Sequence, residues 1–450
     1  MVPPVVPLLL SPVSPAARLQ TTLDLLHEVD AIAGPADALV SAFFRARRHI
    51  GEDDRGEIIA LFYALLRHHA RLGWWLEGQG AEDHPRGRLL AWLMLGEGRT
   101  AAQVAALFTG RNADPAALTE WERNLLGKLQ GKSIDHPAMP EPVRVESPDW
   151  ALAPLQRRFG VDFAREMAAT LSPAPRDLRV NTIKANRPAT LSALRALGLR
   201  AEPTPLAPLG IRIDESLSLA RLPMLKSGEV EIQDEGSQLV ALLVDAHPGD
   251  RVVDFCAGAG GKTLAMAAQM ANKGHVVACD VMEGRLKRAA ERFRHAGVHN
   301  VQTRLLSSET DKWVKRHKAG FDRVLVDAPC SGTGTWRRNP DARWRAMAGS
   351  RLDNLLPLQA KILTSAARLV RPGGRLVYAT CSLLIEENED QVAAFLAAHP
   401  DFEIVPLPQA APELTGSAHP DFLSLTPGQH DTDGFFAAVM QRRAVETTSA

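Results

Sequence analysis

The chain is long enough for several domains, and its charges balance. Its 450 residues carry 52 Lys and Arg against 52 Asp and Glu, which excludes a protein that binds nucleic acid through a uniformly basic surface. None of its four cysteines has C-x-x-C spacing, so we expect no metal site and no redox pair. The first ten residues are apolar but lack a basic segment and are too few to cross a bilayer. We therefore predict a cytoplasmic protein without a membrane anchor.

The first 130 residues have helical periodicity. Leu19, Leu23 and Leu26 recur at spacings of three and four residues, as apolar residues do on one face of a helix. The next twenty residues contain four prolines and little periodicity, which is typical of a linker. We predict an all-α domain over 15–130 and a proline-rich linker over 131–150.

Short strand and helix patterns alternate between 151 and 227, which predicts a small α/β module. Arg179 and Asn181 alternate with apolar residues over 178–182, so their side chains share one face of a predicted strand. Contact with RNA phosphates and ordinary exposure to solvent explain this face equally well.

From 228 to 442 strands and helices alternate regularly, which is typical of a doubly wound, mostly parallel sheet. Ligands bind such a sheet at the carboxyl ends of its strands, so the residues that follow each strand are candidate site residues. Strands are predicted at 252–255, 275–280, 301–306, 321–326, 375–381 and 435–440.

The loop after the first of these strands is rich in glycine. Residues 254–262 read DFCAGAGGK, which fits neither the G-x-G-x-x-G spacing of dinucleotide sites nor the Walker loop. Asp280 ends the next strand, where it can accept hydrogen bonds from both hydroxyls of a ribose. This arrangement favours an S-adenosylmethionine-dependent methyltransferase, with NAD binding on the same fold as the alternative.

Two cysteines follow predicted strands of the same sheet. Cys330 comes just after the strand at 321–326, and Cys381 ends the strand at 375–381. Because neighbouring strands are ~4.8 Å apart, both thiols can face one pocket. Two thiols beside a methyl donor suit pyrimidine chemistry: a thiolate that adds to C6 makes C5 nucleophilic, and a second thiol can assist the release of product.

These motifs resemble a known family. Residues 327–334 (DAPCSGTG) and 378–383 (YATCSL), with EENE at 386–389 behind them, are similar to the two signature motifs of the Nop/Sun family of RNA cytosine-C5 methyltransferases. The likeness extends from QDEGS at 233–237 to DGFF at 433–436. The helical N-terminal part resembles the NusB-like RNA-binding domain of bacterial ribosomal RNA members, and the small module resembles their RRM-like segment.

The resemblance implies a fold and a function. We expect a Rossmann-like class I S-adenosylmethionine methyltransferase sheet, an all-α NusB-like N-terminal domain and a small RRM-like α/β module between them. We expect methyl transfer to C5 of cytosine in RNA through a covalent Cys–C6 adduct, with 16S ribosomal RNA favoured, in a protein that is a monomer. A tRNA substrate and a non-catalytic RNA-binding or ribosome assembly factor are the alternatives.

The resemblance also implies roles for individual residues. Cys381 is then the nucleophile, Cys330 releases the product, and Asp327 holds the base edge and contacts the cofactor. DNA C5 methyltransferases place the nucleophile in a Pro-Cys motif, so the motif alone would have favoured Cys330. Whether Ser307, Ser308 or Glu309 contacts the adenine stays open. The other implied cofactor contacts are Cys256, Ala257, Gly258, Ala259, Gly260, Gly261, Lys262, Asp280 and Arg285.

Residues 336–345 interleave arginines with tryptophans. This composition suits neutralisation of an RNA backbone and stacking on bases. The alternative is a surface loop whose tryptophans, Trp336 and Trp344, pack inward.

Overall fold

The computed structural model describes residues 13–32, 34–213, 222–344, 351–414 and 419–444. The first ten residues and Arg345, both interpreted above, lie outside these ranges. The chain divides into two compact units: one holds the described residues up to Ala153 together with 339–344, and the other holds the remaining described residues. No helix in the described ranges is long and apolar enough to cross a membrane.

The first unit is helical, as the sequence predicts. The apolar positions of its helices meet in one core, where Phe43, Phe62 and Leu72 are buried. Side-chain caps define where helices begin; Thr100 and Thr119 each form a capping box at a helix start. The helices are α1 (Pro15–Ala31), α2 (Ala36–Ala46), α3 (Glu52–Arg67), α4 (His69–Glu77), α5 (Pro85–Leu95), α6 (Ala101–Ala105), α7 (Glu120–Leu129), α8 (Glu141–Arg144) and α17 (Asp341–Trp344).

Residues 339–344 of the arginine- and tryptophan-rich segment belong to this unit and pack inward. Arg343 is only 2% exposed, and the buried carboxylate of Glu146 opposes its charge. The Trp344 ring stacks on His69 with 4.8 Å between ring centroids. Burial leaves Arg343 unable to neutralise an RNA backbone, and the stacked ring of Trp344 supports the alternative of inward packing.

The small α/β module has a four-stranded antiparallel sheet in the order β2-β3-β1-β4. Its elements are β1 (Arg176–Val180), α11 (Arg187–Ala196), β2 (Ala201–Pro203), β3 (Gly210–Ile213), α12 (Pro223–Ser227) and β4 (Val230–Ile232). The predicted RRM-like topology is confirmed.

The polar face of this module is explained neither by contact with RNA phosphates nor by exposure to solvent. Arg179 and Asn181 are both only 3% exposed. Arg179 donates to the carbonyl of Gly261 at 2.8 Å, and Asn181 donates to the carbonyl of Ala296 at 2.8 Å. These hydrogen bonds hold the module against the helices that contain Gly261 and Ala296, so the two side chains contact neither RNA nor solvent.

That sheet has eight strands among the described residues, in the order β10-β12-β9-β8-β5-β6-β7, with β11 paired to β12. The five strands from β5 to β9 are parallel, and β12 runs antiparallel to β9. The strands are β5 (Arg251–Asp254), β6 (His275–Asp280), β7 (Val301–Leu305), β8 (Phe321–Asp327), β9 (Val370–Thr380), β10 (Phe402–Ile404), β11 (Phe422–Leu425) and β12 (Phe435–Arg442).

Helices cover both faces of the sheet, which confirms the predicted doubly wound fold. Val252 and Val253 point to opposite faces and belong to different apolar cores, one with Leu264 and the other with Leu363. Helices of the second unit are α9 (Asp149–Phe159, which begins in the first unit), α10 (Phe163–Ala169), α13 (Glu235–Leu243), α14 (Gly261–Gln269), α15 (Glu283–Ala296), α16 (Lys312–Arg316), α18 (Arg351–Ala367), α19 (Glu389–Ala398), α20 (Leu407–Ala410) and α21 (Pro427–His430).

Candidate active site

The carboxyl ends of the parallel strands open into a cavity of about 770 Å³. Gly260 is the one predicted site residue that does not line it; a Cβ there would lie 2.6 Å from the ring of Phe293, so this glycine lets α15 pack against the loop. The predicted residues that line the cavity are Cys256, Ala257, Gly258, Ala259, Gly261, Lys262, Asp280, Arg285, Asp327, Cys330 and Cys381.

The glycine-rich loop and Asp280 form one hydrogen-bonded unit. The backbone N–H of Gly258 donates to Asp280 Oδ2 at 2.9 Å, and that of Met282 donates to Oδ1 at 2.7 Å. The φ of Gly258 is +55°, a conformation that favours glycine. Each Asp280 oxygen keeps a second lone pair for a ligand hydroxyl, as binding of a ribose requires.

Asp254 supplies a second acidic group to the cavity. Its Oδ2 accepts a hydrogen bond from Thr263 at 2.7 Å, whereas its buried Oδ1 has no partner among the described residues. Burial raises the pKa of Asp254 to about 7 despite that hydrogen bond. An acceptor of this kind suits the ammonium of the methionine part of S-adenosylmethionine, and the exposed side chains of Val281 and Met282 beside Asp280 suit an adenine. The residues present therefore fit this cofactor.

Three residues after β7 are the candidates for contact with the adenine. Ser307 and Glu309 line the cavity, and Ser308 is not among its lining residues. Ser307 donates through both its N–H and its Oγ to Asp311, at 2.9 and 2.8 Å.

Lys262 carries a positive charge into the cavity. Its Nζ lies 2.7 Å from Asp327 Oδ2 and 5.2 Å from the centroid of the Phe435 ring. Burial acts to lower the pKa of Lys262, but the charge and hydrogen bond of Asp327 outweigh it, and the pKa is raised. Lys262 is therefore an ammonium beside a carboxylate, in the cavity that Cys381 also lines.

The two cysteines meet, as their strands predict. Strands β8 and β9 pair Asp327 with Ala379, so Cys330 and Cys381 both follow this edge of the sheet. Their Sγ atoms are 3.4 Å apart, within the range of a hydrogen bond between sulfurs. The hydrogen bond to Cys381 is the main cause that raises the pKa of Cys330 well above its ordinary value, followed by burial and the negative charges of Cys381 and Glu387.

Two acidic residues of this region have no clear signal in the sequence. Asp254 only begins the glycine-rich loop, and Glu387 only belongs to the EENE string behind the second motif. Glu387 is 0% exposed and accepts a 2.8 Å hydrogen bond from the backbone N–H of Ser331, next to Cys330. A carboxylate four to six residues beyond a site motif is a weak signal, because exposed helix starts have the same composition.

Comparison with known proteins decides the family. The family model for the 16S rRNA methyltransferase RsmB/F matches residues 241–441, and a model for the ferredoxin-like domain of RsmF/B-like methyltransferases matches 147–220. A Synechocystis protein named as a probable ribosomal RNA small subunit methyltransferase B is 33% identical over 317 residues, 70% of this chain and 71% of the relative. The chain belongs to the RsmB/F methyltransferase family.

Other relatives of this RsmB/F chain agree. The ribosomal RNA small subunit methyltransferase B of Yersinia pseudotuberculosis is 34% identical over 292 residues, 65% of each protein. A methyltransferase homologue from Pyrococcus horikoshii is 30% identical with a TM-score of 0.58, covering 68% of this chain and all of the other. PH0851, at 24% identity, shares the fold over 96% of this chain and 99% of its own with a TM-score of 0.79. As an RsmB/F protein, the chain is an S-adenosylmethionine-dependent RNA methyltransferase.

Proposed function

We propose that this RsmB/F protein methylates C5 of a cytosine in small-subunit ribosomal RNA through a covalent adduct between Cys381 and C6. The observation that carries the proposal is the pair of thiols, 3.4 Å apart, in the cavity that also holds the glycine-rich loop and Asp280. The names of the relatives support the choice of RNA. Two adjacent thiols beside a methyl donor have a use when one attacks a pyrimidine and the other assists release.

The first step is the attack on the base. An electron pair of the Cys381 thiolate forms the S–C6 bond, and the C5=C6 π electrons move into the ring, which makes C5 a nucleophile. A positive charge in the same cavity favours a thiolate in general, and Lys262 lines that cavity. Asp327 Oδ2 accepts from Lys262, which leaves Oδ1 to accept from the exocyclic amine of cytosine and orient the ring.

The second step joins C5 to the methyl group. Bound S-adenosylmethionine supplies an electrophilic methyl on a sulfonium, and the electron pair of the broken S–CH₃ bond stays on the departing sulfur. The acceptor oxygens of Asp280 and Asp254 would hold the ribose and the methionine ammonium of the cofactor, which would direct its methyl group toward C5 of the base.

The last step removes the C5 proton and breaks the bond to Cys381. Cys330 is suited to take this proton, because its position changes once Cys381 has reacted. Cys381 is then a neutral thioether, and the sulfur–sulfur hydrogen bond and the negative charge that raise the pKa of Cys330 are both gone. Cys330 thus ionises more readily after methyl transfer than before it, and it loses its proton to solvent. The Cys330 thiolate then takes the C5 proton, and the electron pair of the C5–H bond restores the C5=C6 bond and expels Cys381 as a thiolate.

The test uses small-subunit ribosomal RNA, S-adenosylmethionine with a tritiated methyl group, and single variants. Cys381→Ala is expected to abolish methyl transfer while calorimetry still shows cofactor binding. Cys330→Ala is expected to accumulate a protein–RNA adduct that migrates as a shifted band on a denaturing gel. Cys279→Ala, in a buried thiol that does not line the cavity, is the matched control. Methyl transfer by Cys381→Ala, or normal turnover without adduct by Cys330→Ala, contradicts the proposal.

The target nucleotide is found by bisulfite sequencing of total RNA from a deletion strain and its parent. We expect one protected cytosine of small-subunit ribosomal RNA to disappear in the deletion strain. Loss of protection in tRNA alone would instead support the tRNA alternative, and unchanged RNA would support a non-catalytic assembly role.

A further inference from the structure

Ser237 places a hydroxyl at the wall of the cavity. It lies in the first turn of α13 and lines the same cavity as the glycine-rich loop. Its Oγ accepts a hydrogen bond from Nε2 of Gln233 at 3.1 Å. Among the described residues, the hydroxyl of Ser237 donates to no acceptor. Its hydrogen is therefore available to a ligand in the cavity.

A buried arginine determines the direction of this hydroxyl. Arg179 is 3% exposed and donates to Oε1 of Gln233 and, at 2.8 Å, to the carbonyl of Gly261. A guanidinium can only donate, so the oxygen of the Gln233 amide must face Arg179 and the nitrogen must face Ser237. At this contact Ser237 Oγ can only accept, and its own hydrogen points elsewhere.

The first turn of α14 brings the serine to the same end of the cavity as Asp254. This helix begins at Gly261, where a Cβ would lie 3.5 Å from Nε2 of Gln233. Two residues further along, Thr263 donates to Asp254 at 2.7 Å. Both Asp254 and Ser237 line the cavity. An unpartnered acceptor and an unused donor therefore lie on either side of one helical turn.

A donor beside an acceptor matches the amino-acid end of the cofactor. The methionine part of S-adenosylmethionine carries an ammonium and a carboxylate on one carbon, and Asp254 suits the ammonium. We propose that Ser237 binds the carboxylate, and that Arg179 and Gln233 are positioning residues that turn its hydroxyl towards the ligand. Because Arg179 belongs to β1, the small α/β module takes part in cofactor binding although Arg179 is not among the residues that line the cavity.

Two ligands that differ in one group test the proposal. S-adenosylmethionine and its decarboxylated analogue share the nucleoside, the sulfonium and the ammonium, and differ in the carboxylate. The affinity of the full chain for each ligand is measured by calorimetry without RNA. In Ser237→Ala the affinity for S-adenosylmethionine is expected to fall about 10- to 100-fold, because a hydrogen bond to a charged group is lost. The affinity for the decarboxylated analogue is expected to stay within about twofold of wild type.

A purely structural role of Ser237 predicts a different result. If the serine only supports Gln233, its replacement lowers the affinity for both ligands alike, and this outcome overturns the proposal. Unchanged affinity for both ligands overturns it as well. Ser237→Thr keeps the hydroxyl and is expected to bind S-adenosylmethionine as the wild type does. The matched control is Ser192→Ala, in an exposed helical serine that does not line the cavity, and it is expected to change neither affinity.

Gln233→Glu tests the positioning residues. A carboxylate at this position still accepts from Arg179, but it can only accept from Ser237, so the hydroxyl hydrogen turns away from the ligand. The affinity for S-adenosylmethionine is expected to fall about tenfold, and that for the decarboxylated analogue is not expected to fall. Unchanged affinity for S-adenosylmethionine would refute the role of Gln233.

The double variant separates this effect from simple repulsion between two carboxylates. If Gln233 acts through the serine, adding Gln233→Glu to Ser237→Ala is expected to cause no further loss of affinity. A further loss of about tenfold would show direct repulsion and would overturn the positioning role. The inference rests on the cofactor of the RsmB/F family and not on the attack by Cys381. Because binding is measured without RNA, its failure leaves the adduct experiments unaffected.

Discussion

Gly334 links the loop of Cys330 to the loop of Cys381 and to the segment just before β12. Its N–H donates to the carbonyl of Cys381 at 3.0 Å, and its carbonyl accepts from Gly434 at 2.8 Å. A Cβ on Gly334 would lie 2.2 Å from the Gly434 oxygen. Because the obstructing atoms belong to the backbone, no side-chain rotation can relieve the clash. Gly334→Ala must therefore push this loop away from both neighbours.

The expected cost follows from these contacts. Movement of the loop breaks two backbone hydrogen bonds, each worth about 1 kcal/mol, and crowding in a packed region costs about 1–3 kcal/mol. Alanine also lowers the conformational entropy of the unfolded chain relative to glycine, which offsets about 0.4–1 kcal/mol of this loss of stability. We expect Gly334→Ala to lower the free energy of unfolding by about 3 kcal/mol. The displaced loop carries Cys330, so methyl transfer is expected to fall as well.

Urea unfolding at equilibrium, read by pulse proteolysis, measures the change. Gly284→Ala is the matched control, because a Cβ at this position of α15 meets nothing within 4 Å; it is expected to be neutral or stabilising by up to about 1 kcal/mol. If Gly334→Ala unfolds at the same urea concentration as Gly284→Ala, the close approach of the two loops does not exist as described.

Three further predictions concern the cavity. Asp280→Ala is expected to weaken S-adenosylmethionine binding about 10- to 100-fold by calorimetry, since hydrogen bonds to a charged group are lost; an unchanged affinity removes Asp280 as a ribose ligand. Lys262→Met leaves Asp327 without its partner and is expected to reduce methyl transfer about 100-fold, with partial recovery in Lys262→Arg. Diamide, by taking one hydrogen from each thiol, is expected to join Cys330 and Cys381 in a disulfide that abolishes activity until a reductant is added; intact-mass spectra showing two free thiols after treatment would contradict this.

The sequence predicts the main sheet because local patterns determine it. The strands at 252–255 and 375–381 are largely apolar, as buried parallel strands are, and the carboxyl ends of parallel strands lie at one edge of the sheet. The residues that follow these strands therefore lie close together in space, however far apart they are in the sequence. The sequence therefore places Cys330 and Cys381 in one pocket although they are far apart in the chain. Their sulfurs lie 3.4 Å apart in the structure.

Polar residues were predicted less well because their partners are distant in sequence. The most distant hydrogen-bond partners of Arg179 and Asn181 lie 82 and 115 residues further along the chain. Alternation with apolar residues indicates that two side chains share a face, but not whether another domain covers it. Arg343 shows the same difficulty, since the carboxylate that opposes its charge belongs to Glu146, almost 200 residues earlier. Arginine-rich composition alone cannot separate a surface that binds phosphate from a buried ion pair.

For a related reason, a cysteine motif read by itself does not show which of the two thiols is the nucleophile. Cys330 and Cys381 have the same intrinsic chemistry and line the same cavity, so only their surroundings can make one the nucleophile. Lys262 pairs with Asp327 in that cavity, and the buried Glu387 hydrogen-bonds to the residues that follow both cysteines. Because these residues lie outside the cysteine triplets, a Pro-Cys motif carries no information about which thiol attacks.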